Sequence, residues 1–229
     1  MKLDLFDAYN IRARLSASII LLAPIAITIF MCFAEVTTLA TSSIIVCVLL
    51  AFTNYVPILQ RRINHNKTTH KNYAAQMLSP DDDTIDSMTK DRFYCKLSSI
   101  DASFAALHNP ADHDAFNNCC NSVVAYLRSR TRNNHLVQEE NINYGFCKNL
   151  LSNKPIGIAL CLLCSCSVVI WSWHMYGSFS GWPLQIYFSV SFNIALVLFW
   201  ILGVTKESLE IAAKNYAKAL ICSIDSLDM

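Results

Sequence analysis

The sequence predicts an all-α integral membrane protein in which four transmembrane helices, arranged as two hairpins, flank a helical cytoplasmic region. Composition is the first reason: 54% of the 229 residues are hydrophobic, 15% are charged and the mean hydropathy is +0.34, which is typical of a membrane protein. The second reason is a set of four long apolar segments. The third is the polar region between them, which has very few glycines and no strand or hairpin signals.

The first hairpin is predicted at residues 18–59, within an N-terminal domain of residues 1–59. Its two spans are residues 18–34 and 44–59, and a short polar turn separates them. A cleaved signal peptide is the competing interpretation of the first span. The absence of an Ala-x-Ala site, together with a second apolar segment so close behind, favours the hairpin.

Residues 60–154 form the predicted cytoplasmic helical region. Ser79-Pro80 followed by three aspartates predicts a helix start, because serine can cap the helix, proline suits the first turn and carboxylates favour the positive end of the helix dipole. Four apolar side chains further on recur at helical spacing: Leu97, Ile100, Phe104 and Leu107. A second amphipathic helix is predicted to end in the basic run at residues 128–132. The core of such a region is small, so packing against neighbouring subunits is expected.

The second hairpin is predicted at residues 155–204, with spans at residues 155–175 and 182–204. Pro155 is placed at the start of its first helix, where a missing N–H leaves no donor unpaired. Residues 205–229 then predict an amphipathic cytoplasmic helix. Its apolar stripe consists of Leu209, Ala213, Tyr216, Leu220, Ile224 and Leu227. Lysines and arginines flank the four spans on one side only, so both termini and residues 60–154 are predicted to be cytoplasmic.

A polar stripe in the last span is the first candidate site. Gln185, Ser189 and Asn193 are spaced four residues apart and so share one helical face. Polar side chains facing lipid are unfavourable, so the stripe predicts either a pore lining or hydrogen bonds between helices. Glu35, after the first span, would form a ring of carboxylates in a symmetric oligomer, as in cation-selective pores. The alternative for Glu35 is a solvated side chain at the membrane interface.

A basic run is the second candidate site. Arg128, Arg130 and Arg132 each carry a planar group suited to phosphate, and Tyr144 could stack on a base. Lys148 is close to these residues in sequence. Together the five residues predict a site for a nucleotide or a single-stranded nucleic acid. The alternative is a solvated helix end with cations at the negative end of the dipole.

No pattern of catalytic residues is present. The sequence contains no Gly-rich phosphate loop, no HExxH and no GxSxG, and its six histidines lack ligand spacing. It therefore predicts no enzyme, no metal site and no cofactor. The ten cysteines lie in apolar or predicted cytoplasmic segments and are expected to be reduced. Cys161 and Cys164 have CxxC spacing, but no second pair accompanies them.

The junction between the polar region and the second hairpin, EENINYGFCKNLLSNKPIGIAL at residues 139–160, carries a family resemblance. It resembles small bacterial membrane proteins of phage-defence islands, in which a polar Glu-Asn, Asn-Tyr-Gly-Phe, Asn-Leu and Lys-Pro pattern enters a transmembrane hairpin. The membrane effectors of the Hailong anti-phage system are the nearest in kind, and the four-span membrane component of the Kiwa system is the alternative. Cys147-Lys148 departs from the pattern, which would have two basic residues there.

The resemblance implies an effector of anti-phage defence in the bacterial inner membrane. Such an effector is a homo-oligomeric ion channel, expected here as a tetramer, that responds to a single-stranded DNA oligomer or nucleotide made by a partner nucleotidyltransferase. The alternative is a non-conducting membrane sensor or scaffold that recruits a cytoplasmic defence partner through residues 80–135 and the C-terminal helix. Membrane lipids are the remaining predicted partners.

Overall fold

The computed structural model of the chain describes residues 9–32, 72–108 and 113–227, and all the regular structure in these ranges is helical. Seven α-helices follow one another within them: α1 (Ser16–Cys32), α2 (Tyr73–Met77), α3 (Ser87–Ile100), α4 (His113–Arg130), α5 (His135–Tyr176), α6 (Leu184–Leu198) and α7 (Lys206–Cys222). Short 3-10 helices occur at Ala102–Leu107, Phe179–Gly181 and Ser223–Ser226, and π-helical segments at Asn10–Leu15 and Phe199–Gly203. The predicted all-α class is confirmed for this part of the chain.

Within the described residues, three helical stretches are long and apolar enough to cross a membrane. They are Arg12–Cys32 with 21 residues, His135–Tyr176 with 42 residues and Leu184–Gly203 with 20 residues. At 1.5 Å per residue, 20 residues cover the roughly 30 Å of a hydrocarbon core. These helices support a membrane protein and correspond to three of the four predicted spans. The second predicted span, residues 44–59, and Glu35 lie outside the described residues.

Pro155 lies inside α5. The prediction that a helix begins at this proline is therefore wrong. α5 starts at His135 instead, where Asn134 caps it: the Asn134 Oδ1 accepts hydrogen bonds from the N–H groups of Leu136 at 3.1 Å and Val137 at 3.3 Å. A proline within a helix removes one backbone hydrogen bond, but membrane helices tolerate it because neighbouring groups can pair the freed carbonyl.

The chain divides into two compact units. The apolar unit comprises Met1–Thr68 and Gly145–Leu209, and the polar unit comprises Thr69–Tyr144 and Glu210–Met229. Both divisions fall inside helices, α5 after Tyr144 and α7 after Leu209. Each of these two helices therefore contributes residues to both units.

In the apolar unit α1 packs against α6, and α5 contributes to the same core. One buried cluster consists of Ala17, Leu21, Leu150, Cys161, Trp200 and Val204. Gly157 of α5 permits an unusually close contact, because a Cβ atom there would lie 2.4 Å from Cε2 of Trp200. At Gly145 a Cβ atom would lie 2.6 Å from the Tyr9 hydroxyl. At both glycines a neighbouring ring occupies the space that a side chain would need.

The polar unit has a separate apolar core to which α2, α3, α4 and α7 contribute. Its largest fully buried side chains are Leu78, Phe93, Leu97, Val123, Val124, Leu127, Leu220, Ile221 and Ile224. The predicted apolar stripe of the C-terminal helix is confirmed only in part. Leu220 and Ile224 are fully buried, whereas Leu209, Ala213, Tyr216 and Leu227 are only partly buried. Ala217 and Ile221 complete the buried face.

The helix predicted to start at Ser79-Pro80 begins at Ser87 instead, so that prediction is wrong. Its cap is Asp86, whose carboxylate accepts a hydrogen bond from the Thr89 N–H at 2.8 Å. This bonding lowers the pKa of Asp86. The residues before Asp86 form turns, because the side chain of Asp82 bonds to the chain two residues ahead and so competes with a helix.

The buried side chain of Lys90 stabilises these turns by hydrogen bonds to their backbone carbonyls. Lys90 is 4% exposed, and its Nζ donates hydrogen bonds to the carbonyls of Ser79 and Asp82. A buried ammonium requires such acceptors. The turn therefore depends on a side chain of the helix that follows it.

The helical spacing of Leu97, Ile100, Phe104 and Leu107 does not correspond to one continuous helix. α3 ends at Ile100, and Asp101 has an extended conformation in which its side chain accepts from the Ser103 N–H at 2.8 Å. A 3-10 helix then follows. The two types of helix still bury Leu97, Phe104 and Leu107 in one core.

Candidate functional site

The arginine cluster, defined as Arg128, Arg130 and Arg132, lies at the end of α4. Arg128 and Arg130 belong to the last turn, and all three side chains are exposed. Thr131, between them, is buried; its hydroxyl donates to the Leu127 carbonyl at 2.8 Å, and its N–H bonds to the same oxygen at 2.9 Å. Both bonds go to the carbonyl four residues earlier, so the buried threonine completes the last turn of α4 between the exposed Arg130 and Arg132.

The environment of the arginine cluster leaves it accessible to an anion. The Arg130 Cζ lies 5.5 Å from the centre of the Tyr126 ring, within the range of a cation–π contact. Among the residues that the structure describes, no carboxylate forms an ion pair with any of the three arginines. Their planar donors are thus available for phosphate or carboxylate. A solvated helix end has the same geometry, so the predicted binding role remains a prediction.

Tyr144 and Lys148, the other two predicted ligand-binding residues, have different surroundings. The Tyr144 ring is stacked on the Tyr216 ring, with centroids 6.0 Å apart and an interplanar angle of 5°. One face of the ring is therefore covered by α7. Lys148 is partly buried and belongs to the apolar unit. The structure brings together the three arginines of the polar unit, and the roles of Tyr144 and Lys148 in binding remain predictions.

The polar stripe of α6 is divided between two environments. Ser189 and Asn193 are fully buried, whereas Gln185 is exposed. Asn193 Nδ2 donates to the hydroxyl of Thr28 in α1 at 3.1 Å, and the Ser189 and Thr28 hydroxyls lie 3.5 Å apart. These contacts are the hydrogen bonds between helices that formed the alternative to a pore lining. The arrangement is called the Thr28–Asn193 contact below.

The nine cysteines that the structure describes are all free thiols. Cys161 of the CxxC pair is buried in the apolar unit, and Cys164 is partly buried. Within the described ranges, no three histidine, cysteine or acidic side chains are placed so that they could hold a metal ion.

A polar cavity of about 420 Å³ in the polar unit was not predicted from the sequence. Its wall is formed by α2, the turn after it and α7, and the lining includes Tyr73, Asp82, Glu210, Lys214 and Lys218. Lys214 Nζ forms an ion pair with the Glu210 carboxylate at 2.9 Å, which raises the pKa of Lys214. The spacing of four residues between Glu210, Lys214 and Lys218 indicates that they share one charged face of a helix. Its partner surface comes from residues too far away in sequence to be inferred.

The fold and these surfaces define an all-helical membrane protein with a separately packed polar unit. No known protein family matches the chain, and neither a curated protein nor a solved structure is significantly similar to it. Its function must therefore be argued from its own residues.

Proposed function

We propose that this protein is an anti-phage defence effector of the bacterial inner membrane: a homo-oligomeric, tetrameric ion channel gated by a nucleotide or single-stranded nucleic-acid signal. In this proposal four helices span the membrane, and both termini and residues 60–154 are cytoplasmic. A partner nucleotidyltransferase makes the signal. The chain itself is not an enzyme.

The observation that carries the proposal is the composition of α5. One unbroken helix supplies the polar unit up to Tyr144 and the apolar unit from Gly145 onward. A receptor needs a part that meets the signal in water and a part that acts in the membrane. In this chain both parts include residues of one helix, α5, which changes from the polar to the apolar unit between Tyr144 and Gly145.

The arginine cluster supports an anionic signal. Three exposed guanidinium groups within five residues can each donate two hydrogen bonds to a phosphate. A single subunit neutralises few phosphates, and affinity for a nucleic acid grows with their number. A ring of subunits multiplies the charges, so the proposed site is shared around a symmetry axis.

Charge reversal in the cluster tests the site. Arg128→Glu with Arg132→Glu should weaken binding of a single-stranded oligonucleotide by the full chain in nanodiscs. It should also flatten the dependence of affinity on salt, since each lost phosphate contact removes about 0.7 from the slope. Fluorescence anisotropy across a salt titration measures both quantities.

The matched control is Lys206→Glu with Lys218→Glu, which changes the net charge equally at two other exposed positions. This pair should leave affinity and slope near those of the parent. An arginine double variant that binds like the parent would show that the site is misplaced. A larger loss in the lysine pair would place the site near the polar cavity instead.

Conduction is tested in liposomes. Reconstituted protein should pass ions, and the oligonucleotide or nucleotide should change the current. A background current with every such ligand contradicts the channel. That result would not contradict the membrane location or the anion site, because these two are tested by separate measurements.

The second candidate is a non-conducting membrane sensor or scaffold that recruits a cytoplasmic defence partner. The Thr28–Asn193 contact favours it, because the polar groups of two apolar helices are used within the chain. Ile211→Glu, at a 54% exposed position of α7 outside the buried face, should then abolish partner capture while the core of the polar unit is kept. If instead the intact protein conducts, the scaffold fails.

A further inference from the structure

Two π-helical segments lie in the described part of the apolar unit. One is Asn10–Leu15, directly before α1, and the other is Phe199–Gly203, directly after α6. A π-helix has one more residue per hydrogen-bonded ring than an α-helix, is rare, and occurs frequently at functional sites. Each segment is continuous with an apolar helix, so the geometry of the segment sets the rotation of that helix about its own axis relative to the residues on the other side of the segment.

Side chains of α5 bind backbone carbonyls of both regions. Asn149 Nδ2 donates to the Ala13 carbonyl at 2.9 Å. Lys154 Nζ donates to the carbonyls of Ile201 at 3.0 Å and Val204 at 2.8 Å. Carbonyls at a helix end lack partners within the helix, and a cation there also interacts favourably with the helix dipole. Lys154 therefore stabilises the end of the segment Phe199–Gly203.

The same segment is anchored to α5 by packing. Trp200 is fully buried, and its ring occupies the space over Gly157 that a Cβ atom would need. α6, by contrast, is bound to α1 through the Thr28–Asn193 contact. Contacts with α5 therefore hold the segment Phe199–Gly203 itself, whereas contacts with α1 hold the helix before it, α6.

A change from π-helix to α-helix at this point would rotate α6. An α-helix advances by about 100° and 1.5 Å per residue, so absorbing one extra residue turns α6 by about that angle relative to Trp200. Ser189 and Asn193 are fully buried in the present structure. A rotation of this size would move both away from Thr28 and onto a different face of the apolar unit.

We propose that Lys154 is a latch for this rotation. While its ammonium holds the carbonyls of Ile201 and Val204, Phe199–Gly203 stays π-helical and Ser189 and Asn193 stay buried. Release of the latch lets the segment become α-helical and exposes both side chains to water. The inference rests on the proposed channel and makes the present structure its closed state, with Ser189 and Asn193 lining the pore only after rotation.

The test uses the full chain with a reporter, Ser189→Cys, in liposomes. A charged, membrane-impermeant thiol reagent is added, and peptide mass spectrometry measures modification at position 189. Lys154→Met removes the donors and keeps the apolar stem. It should accelerate labelling about tenfold, the shift expected from losing hydrogen bonds made by a charged donor. Lys154→Arg keeps the donors and should label at the parental rate.

Lys154→Gln is a milder second variant for the case that Lys154→Met does not fold, as judged by gel filtration. It should accelerate labelling less than Lys154→Met. The latch would be overturned if both Lys154→Met and Lys154→Gln were labelled at the parental rate. It would also be overturned if Lys154→Arg accelerated labelling as much as Lys154→Met. Accelerated labelling without any ion current would support the latch and contradict the channel. Current with unchanged labelling would retain the channel and overturn the latch.

Discussion

The apolar and polar units differ in which side chains they bury and which they expose. In the polar unit the fully buried positions are large apolar side chains such as Phe93 and Leu127. In the apolar unit polar side chains such as Ser172 and Ser189 are fully buried, as is Trp200, whereas Ile170 is 69% exposed. Water drives apolar groups inward. Lipid does not, so helices there associate through close packing and hydrogen bonds.

The few buried polar groups of the polar unit follow the rule for water-soluble proteins. Lys90, Thr131 and Ser223 each donate to a backbone carbonyl. In the apolar unit the Ser172 hydroxyl and the Trp200 Nε1 are buried, and no hydrogen-bond partner occurs for them in the part of the chain that the structure describes. One chain can thus fold with one part in water and another in lipid, because each unit has its own pattern of buried side chains.

The largest expected effect on stability is the difference between replacing a phenylalanine in the polar unit and replacing one in the apolar unit. Phe93 is 1% exposed in the polar unit and Phe188 is 59% exposed in the apolar unit. Phe93→Ala should lower the free energy of unfolding of the polar unit by about 3–5 kcal/mol. Phe188→Ala should change stability by less than about 0.5 kcal/mol, as at an ordinary surface position.

Hydrogen exchange of the α4 amides in nanodiscs measures the stability of the polar unit, and tryptophan fluorescence measures the apolar unit, which contains all four tryptophans. A Phe188→Ala variant that loses as much stability as Phe93→Ala would contradict this difference between the two units.

The next effect concerns close packing in the apolar unit. Gly157→Ala forces a Cβ atom to within 2.4 Å of the Trp200 ring, and such overpacking costs about 1–3 kcal/mol. Gly181→Ala is the control, because its nearest contact would be an ordinary 3.6 Å. Unfolding in mixed detergent micelles, followed by tryptophan fluorescence, compares the two variants. Equal stability of both would show that Trp200 can move aside at little cost.

Alkaline pH should destabilise the polar unit. Burial raises the pKa of the Cys120 thiol from 9.0 to about 12 and the pKa of the Tyr94 hydroxyl from 10.0 to about 12. Above pH 9 the unfolded chain releases the Cys120 proton while the folded unit keeps it. Stability is thus fully present below pH 9 and falls as pH rises toward 12, by about 1 kcal/mol at pH 10.

Exchange of the α4 amides at pH 8 and pH 10, corrected for intrinsic rates, measures this loss. Cys120→Ala should reduce the pH dependence. Cys95→Ala, at an exposed thiol, is the control and should leave it unchanged. If Cys120→Ala retains the full dependence, the buried thiol is not its source.

The smallest effect is that of the hydrogen bonds between α1 and α6. Asn193→Ala removes the donor to Thr28, and such bonds between membrane helices contribute about 0.6 kcal/mol. Gln185→Ala, on the same helix but exposed, should have no effect on unfolding in micelles. A loss of several kcal/mol at Asn193 would mean that the contact stabilises far more of the unit than one hydrogen bond.

Local sequence was sufficient for the helical class and for most apolar helices. Long uncharged segments predict spans because lipid leaves a backbone no other way to pair its polar groups. The prediction of a helix start at Ser79-Pro80 was wrong, because the Asp82 side chain bonds to the Thr84 N–H within a turn and Asp86 caps the helix instead. The prediction of a helix start at Pro155 was wrong as well: proline suits a first turn, yet α5 continues through it from His135 to Tyr176.

The sequence by itself determined that this is a helical protein with membrane-length apolar segments, that three arginines cluster at a helix end, and that Ser189 and Asn193 share a face. Only the tertiary structure decided that this face meets Thr28, that Gly157 accommodates Trp200, and that Lys154 binds carbonyls beyond α6. Periodicity and composition are local properties of a chain. Which faces meet depends on partners that lie 50 residues away in the chain for Lys154 and Val204 and 165 residues away for Thr28 and Asn193, and a single sequence does not record which of them come together.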